Sequence, residues 1–287
     1  MSAIIKLLRP HQYVKNIFVF APVLFAFAFS TSNFINSTIT FILFSILASS
    51  IYILNDMMDI DEDKAHPTKR FRPLASGEIS MSKAKYLFIS LSTFSLFSAF
   101  VFNIQLFIVL VLYFILNILY SLKLKHISIV DIFIISTGFV LRLFAGSVST
   151  GIELSMWIII ITFLLAIFLS LAKRRDDVLL SLEGKSTRKN IDGYNLEFVN
   201  ATMVLMSGVV IVSYILYTVS EQVIHRLGTQ YLYLTSFFVI IGIFRYMQIT
   251  FVENNSGSPS KIVVKDMFMK ITILLWIVSF IGIIKFL

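Results

Sequence analysis

The run Asn55-Asp56-Met57-Met58-Asp59-Ile60-Asp61-Glu62-Asp63 places four aspartates, a glutamate and an asparagine where a long apolar segment meets a polar stretch. Carboxylates this dense beside a membrane repel one another unless a cation neutralises them. If a helix continues through the run, Asp56, Asp59 and Asp63 fall at i, i+3 and i+7, and Asn55 lies one turn before Asp59. One face then offers several oxygen ligands. Magnesium prefers such ligands and completes its octahedron with water and substrate phosphate oxygens. Asn55, Asp56, Asp59 and Asp63 are therefore candidate holders of a metal-bound diphosphate, with Mg²⁺ expected and Mn²⁺ as its substitute. A solvated acidic helix end is the plainer alternative.

Cations follow directly, in His66-Pro67-Thr68-Lys69-Arg70-Phe71-Arg72-Pro73. Two prolines restrict the backbone and put Lys69, Arg70 and Arg72 close to the carboxylates, which suits a substrate with more phosphate than one Mg²⁺ neutralises. A topology-setting basic loop is the competing account. His66 reads as a capping or hydrogen-bonding residue, since hard Mg²⁺ favours oxygen. Lys173-Arg174-Arg175, followed by Asp176 and Asp177, is a second basic group, although cations at a helix C-terminus are favourable on dipole grounds alone. Tyr120 and Lys125 have the types of an interfacial anchor. Arg142 lies in mid-segment, where an unpaired charge facing lipid costs at least ~2.5 kcal/mol, so it is expected to face a cavity or a partner. Lys15, with Arg9, His11 and Asn16, suits the phosphate of an amphiphile or the membrane interface.

These residues need elements to hold them, and composition says what kind. Apolar residues make up 57% and charged residues 14%, mean hydropathy is +0.89, and runs of membrane-spanning length recur throughout. Nine segments are expected, at Tyr13–Ser30, Phe34–Leu54, Ala84–Phe102, Leu106–Ser121, Ile127–Ser149, Met156–Ala172, Val199–Ser220, Tyr231–Gln248 and Met267–Phe286. The runs are continuously apolar with no alternation, which excludes a β-barrel and leaves one all-α polytopic domain over 1–287 around a central cavity. The first segment has no small-residue cleavage site and is read as a retained helix. Cysteine is absent, so disulfides and thiolate metal sites are excluded. With nine crossings, Lys and Arg collect on the face of the N-terminus and the even-numbered loops, and the opposite face receives Arg226 and Lys285. That bias predicts a cytoplasmic N-terminus, a plasma or inner membrane location and a cytoplasm-facing aspartate cluster.

Asn55-Asp56-x-x-Asp59-x-x-x-Asp63 at the end of the second segment resembles the first aspartate-rich motif of the UbiA superfamily of intramembrane prenyltransferases, whose nine-helix fold agrees with the count. The sharper resemblance is to the phosphoribosyl-transferring branch of that superfamily. It rests on Leu8-Arg9-Pro10-His11-Gln12-Tyr13-Val14-Lys15-Asn16, the His66–Pro73 run, Tyr120-Ser121 with Leu124-Lys125, the Arg142 segment, Lys173-Arg174, and Gly257-Ser258-Pro259 leading to Asp266. Superfamily members that use a prenyl diphosphate carry a second spaced aspartate motif after helix six, where this chain has Lys173-Arg174-Arg175-Asp176-Asp177. Cations there suit a donor with an additional phosphate.

The resemblance implies transfer of 5-phosphoribose from 5-phosphoribosyl 1-diphosphate to a polyprenyl (decaprenyl-type) phosphate, giving a lipid-linked pentose for cell-envelope glycans. It assigns Asp56, Asp59 and Asp63 to catalysis with the metal, and Asn55, Lys69, Arg70, Arg72, Lys173 and Arg174 to the donor. Lys15, Tyr120, Lys125 and Arg142 would orient the acceptor phosphate or support the pocket. Membrane lipid is the expected surrounding, no nucleic-acid partner is expected, and self-association is left open. An aromatic prenyltransferase of the same fold and a cation-dependent transporter are the competing classes. The charges gather at one face and no internal repeat is visible, which argues against the transporter.

Overall fold

The computed structural model describes every residue except 1, 67, 185–190, 255–261, 264 and 287, so Pro67 and Gly257-Ser258-Pro259 lie outside the described residues. The chain divides into two compact units, Met1–Leu154 and Ser155–Leu287. The first holds α1 (Ala3–Leu8), a 3-10 segment (Pro10–Phe20), α2 (Ala21–Phe25), α3 (Thr31–Met58), α4 (Ile60–Ala65), α5 (Met81–Phe102), α6 (Ile104–Leu122) and α7 (Val130–Thr150). The second holds α8 (Met156–Leu182), α9 (Leu196–Val219), α10 (Glu221–Leu227), α11 (Ser236–Phe251) and α12 (Met267–Phe286). No strand occurs among the described residues. The protein is an all-α multi-pass membrane protein.

Helices start where the sequence supplies a cap. Ser30, Ser80, Asn103, Ser155 and Asn195 accept from the backbone N–H three residues on, at the starts of α3, α5, α6, α8 and α9. Each satisfies a donor that the first turn leaves orphaned, worth about 1 kcal/mol.

Among the described residues, 8 helices are long and apolar enough to cross a bilayer, and the first expected segment is not among them. Tyr13–Ser30 is not one α-helix. It is an 11-residue 3-10 segment followed by the 5 residues of α2. At ~2.0 Å and ~1.5 Å per residue the two reach roughly 30 Å, so fewer residues cover the distance than an α-helix needs.

A run of 3-10 helix this long requires outside support, because its hydrogen bonds are poorer than those of an α-helix. Side chains three apart eclipse in this geometry, and Tyr13, Asn16, Val19 and Pro22 follow that spacing. Tyr13 Oη pairs with Ser49 Oγ of α3 at 2.8 Å, and Asn16 Nδ2 donates to Ser45 Oγ at 2.9 Å. Val19 is buried against α7 at Gly146, where a Cβ would collide with the Val19 carbonyl group and lie 2.9 Å from its carbon. The glycine is what lets the two backbones approach.

The core of this unit joins Phe44, Leu47 and Ile51 of α3 to Leu106, Leu110 and Tyr113 of α6 and Ala145 of α7. Against α5 the contact is made by small groups, with Ser95 Oγ donating to the Leu43 carbonyl at 2.7 Å and Ala99 fully buried. Close packing and interhelical hydrogen bonds hold membrane helices together, since lipid is as apolar as leucine. Phe94, Phe97, Phe100, Ile108 and Leu112 stay exposed, as a lipid-facing surface requires.

In the second unit Arg245 of α11 grips Asp266, at 2.8 Å to Oδ2, and Asp266 caps α12 by accepting from Met269 N–H at 2.8 Å. Arg175 of α8 donates to Asn200 of α9 at 3.0 Å, to the Thr250 carbonyl at 2.7 Å and to Asn254 at 3.0 Å. It thereby satisfies the C-terminal end of α11.

Candidate active site

The apolar body of α3 carries Asn55 and Asp56 to its last turn, and Asp59 ends the helix with φ −100 and ψ 10. Backbone hydrogen bonds continue through the break, from Asp59 N–H to the Asn55 carbonyl at 3.0 Å and from Asp63 N–H to the Asp59 carbonyl at 2.8 Å. The helical spacing of the acidic run survives, with a bend at Asp59.

The bend sorts the carboxylates. Asp56, 1% exposed, and Asp63, 3% exposed, converge on one nitrogen, Arg72 Nη1, at 3.1 Å and 2.6 Å. Arg9 Nη2 also donates to Asp56 Oδ1, the oxygen that Arg72 touches. Asp59 turns aside to an ion pair with Lys125, and Asn55 Oδ1 accepts from Ser121 Oγ at 2.5 Å. Asp61 and Glu62 are exposed, and Asp61 lies 4.0 Å from Lys64 Nζ.

Arg9 sits in the left-handed region at φ 54 and ψ 55, ending α1 and aiming its side chain across Tyr52, 5.4 Å from the ring centroid. That conformation costs a non-glycine residue about 1 kcal/mol, offset by the ion pair. Burial lowers the Arg9 pKa, with Asp56 opposing the shift. The sequence suits Arg9 to an amphiphile's phosphate or to the membrane interface and does not place it beside Asp56, since nothing in the chain links positions 47 residues apart.

His66 closes the turn that delivers the cations. Its Nδ1 accepts from the N–H groups of Thr68 at 3.2 Å and Lys69 at 3.3 Å, which requires a neutral ring. Burial, and then the Lys69 ammonium, push its pKa below the ordinary value. Arg72 turns inward, Lys69 is half-buried, and Arg70 is exposed over its neighbour Phe71, 4.9 Å from the ring centroid and outside the network.

Arg142 is buried and fully engaged: Nε donates to Asn16 Oδ1 at 2.8 Å, Nη1 to the Gly138 carbonyl at 2.7 Å and Nη2 to Tyr113 Oη at 3.2 Å. The rings of Phe44, Tyr113 and Phe139 surround it at 4.8–5.2 Å. These contacts tie the 3-10 segment to α6 and α7. Lys15, half-buried, has no hydrogen-bond or ion-pair partner among the described residues and lies within electrostatic range of Arg142 and Arg9. Tyr120 is half-buried near the end of α6. In the second unit Lys173 is half-buried on α8, and Arg174, 0% exposed, donates to Asp177 at 2.6 Å.

The donor set fits a hard divalent cation. Among the described residues no three or more His, Asp or Glu side chains form a cage. Mg²⁺ needs no such cage, since one or two carboxylates with substrate phosphates suffice. Asp56 and Asp63 already converge on a single point of positive charge at Arg72 Nη1.

Residues 19–274 match the family model described as the UbiA prenyltransferase family. The chain belongs to the UbiA prenyltransferase family. It is 31% identical over 289 residues to the decaprenyl-phosphate phosphoribosyltransferase of Mycolicibacterium smegmatis, covering 96% of this chain and 91% of that protein. It is 30% identical over 282 residues to the protein of that name from Corynebacterium glutamicum, covering 96% and 85%. Among solved structures, a UbiA homolog from Archaeoglobus fulgidus bound to DMAPP and Mg²⁺ superposes over 100% of both chains with a TM-score of 0.72 at 20% identity. The UbiA fold thus extends across the described helices.

Proposed function

We propose that this UbiA-family protein transfers 5-phosphoribose from 5-phosphoribosyl 1-diphosphate to a polyprenyl phosphate of the decaprenyl type, releasing diphosphate. The observation that carries the reading is similarity along 96% of the chain to two relatives named decaprenyl-phosphate phosphoribosyltransferase. The pairing of inward carboxylates with inward guanidiniums supports it, because a diphosphate leaving group needs both a metal site and direct donors.

In the reaction the bond from the anomeric carbon to the diphosphate oxygen breaks, and its electron pair leaves on diphosphate. A phosphate oxygen of the lipid forms the new bond to that carbon. The attacking phosphate is already an anion, so no nucleophile-activating base is required. When bound, Mg²⁺, or Mn²⁺ in its place, would offset the charge developing on the leaving group, held by Asp56, Asp59 and Asp63 with Asn55 alongside. Arg72 and Arg9 donate to diphosphate oxygens, and the His66 turn keeps Lys69 beside them. Lys125 orients Asp59. Lys15 is assigned to the lipid phosphate as a cation with no carboxylate of its own, Arg142 to holding the 3-10 segment that carries Lys15, and Lys173 and Arg174 to donor phosphate on residue type. The N-terminus and the aspartate face lie in the cytoplasm, a reading supported by the basic-residue bias.

The test offers purified protein labelled phosphoribosyl diphosphate with polyprenyl phosphate, or a polyprenyl diphosphate with an aromatic acceptor. Label in lipid in the first reaction supports the proposal. Product in the second alone overturns it in favour of an aromatic prenyltransferase.

A further inference from the structure

The metal-binding carboxylates are already neutralised by the chain itself. Asp56 and Asp63 contribute two negative charges, and Arg9 and Arg72 contribute two positive charges. Asp56 Oδ1 carries both guanidiniums, and Arg72 Nη1 stands at the point shared by the two carboxylates. A dication placed there must displace Arg72 Nη1 and leave two guanidiniums beside a doubly positive ion, which burial makes costly. A diphosphate arriving with the ion reverses the balance, since its oxygens accept from the displaced guanidiniums in bidentate geometry.

We propose that Arg9 and Arg72 are exchange partners for the metal: they hold Asp56 and Asp63 in position, then pass from the carboxylates to the diphosphate as the metal takes the carboxylates. This rests on the donor reading above and adds an order of events, in which metal and diphosphate enter together and neither binds tightly alone. Arg9 is a positioning residue for Asp56 before exchange and a diphosphate donor afterwards. Its left-handed backbone and its place over Tyr52 set the reach of the side chain for both tasks.

The experiment titrates Mn²⁺ into purified full-length protein, followed by electron paramagnetic resonance, with and without inorganic diphosphate. Wild type should bind Mn²⁺ at least about tenfold more tightly with diphosphate present. Arg9→Gln and Arg72→Gln should bind Mn²⁺ alone about tenfold more tightly than wild type while losing most of the diphosphate effect, and Arg9→Lys should restore it. Equal Mn²⁺ affinity of wild type with and without diphosphate overturns the proposal, and this arm needs no variant to fold. Folded glutamine variants that bind Mn²⁺ alone no better than wild type also overturn it. Exchange behaviour in a protein that forms no phosphoribosyl lipid leaves this inference standing and removes the donor reading. Product formation without exchange behaviour does the reverse.

Discussion

The carboxylates divide their work, and substitution separates the parts. Asp59 faces Lys125 rather than either arginine, so Asp59→Ala removes one proposed metal ligand without freeing Arg9 or Arg72. It should lower kcat by about 100-fold, and near-normal turnover across a range of Mg²⁺ concentrations contradicts its role. Arg142→Leu acts differently, because it leaves Asn16 Oδ1 buried without its donor. The expected cost is about 1–3 kcal/mol, read as lowered thermal stability in detergent, with KM for the lipid changing less than stability. The spacing of the acidic run was legible because it lies within two helical turns. Its counter-ions were not: Arg9 and Lys125 lie 47 and 66 positions from the carboxylates they meet, and such pairings come from the fold.

At the scale of elements, hydropathy locates long α-helices well and misses what replaces one. Tyr13–Ser30 is apolar enough to read as a helix, yet Tyr13, Asn16 and Val19 repeat every three residues, the period of the 3-10 geometry they adopt. Gly146 of α7 meets the Val19 carbonyl of that segment with no room for a side chain. Gly146→Ala should destabilise the protein by about 1–3 kcal/mol, measured as a fall in melting temperature, and an unchanged value sinks this account of the packing. In the second unit the Arg245 hydrogen bonds hold the Asp266 carboxyl below its ordinary 3.8. A depressed carboxyl stabilises the folded state above its unfolded pKa and stops doing so as pH falls through the folded value. The melting-temperature gap between wild type and Arg245→Gln should therefore narrow on acidification, and a constant gap counts against the ion pair.

For the whole molecule, apolar runs made the all-α membrane class readable from composition, and 8 spans emerge among the described residues where nine were expected. The proposed orientation rests on charge bias, and the absence of cysteine allows a direct test. Single cysteines at the exposed positions Ser76 and Gln230 should react with impermeant thiol reagents from the cytoplasmic and opposite sides respectively. The reverse pattern contradicts the topology. The central claim is the identity of the group transferred, and mass spectrometry of the lipid made by purified protein from phosphoribosyl diphosphate and polyprenyl phosphate tests it most directly. The account predicts a lipid heavier by one phosphoribosyl unit, formed with stoichiometric diphosphate and about 100-fold more slowly by Asp59→Ala. An unmodified lipid, or a prenylated product when an aromatic acceptor is supplied, contradicts it.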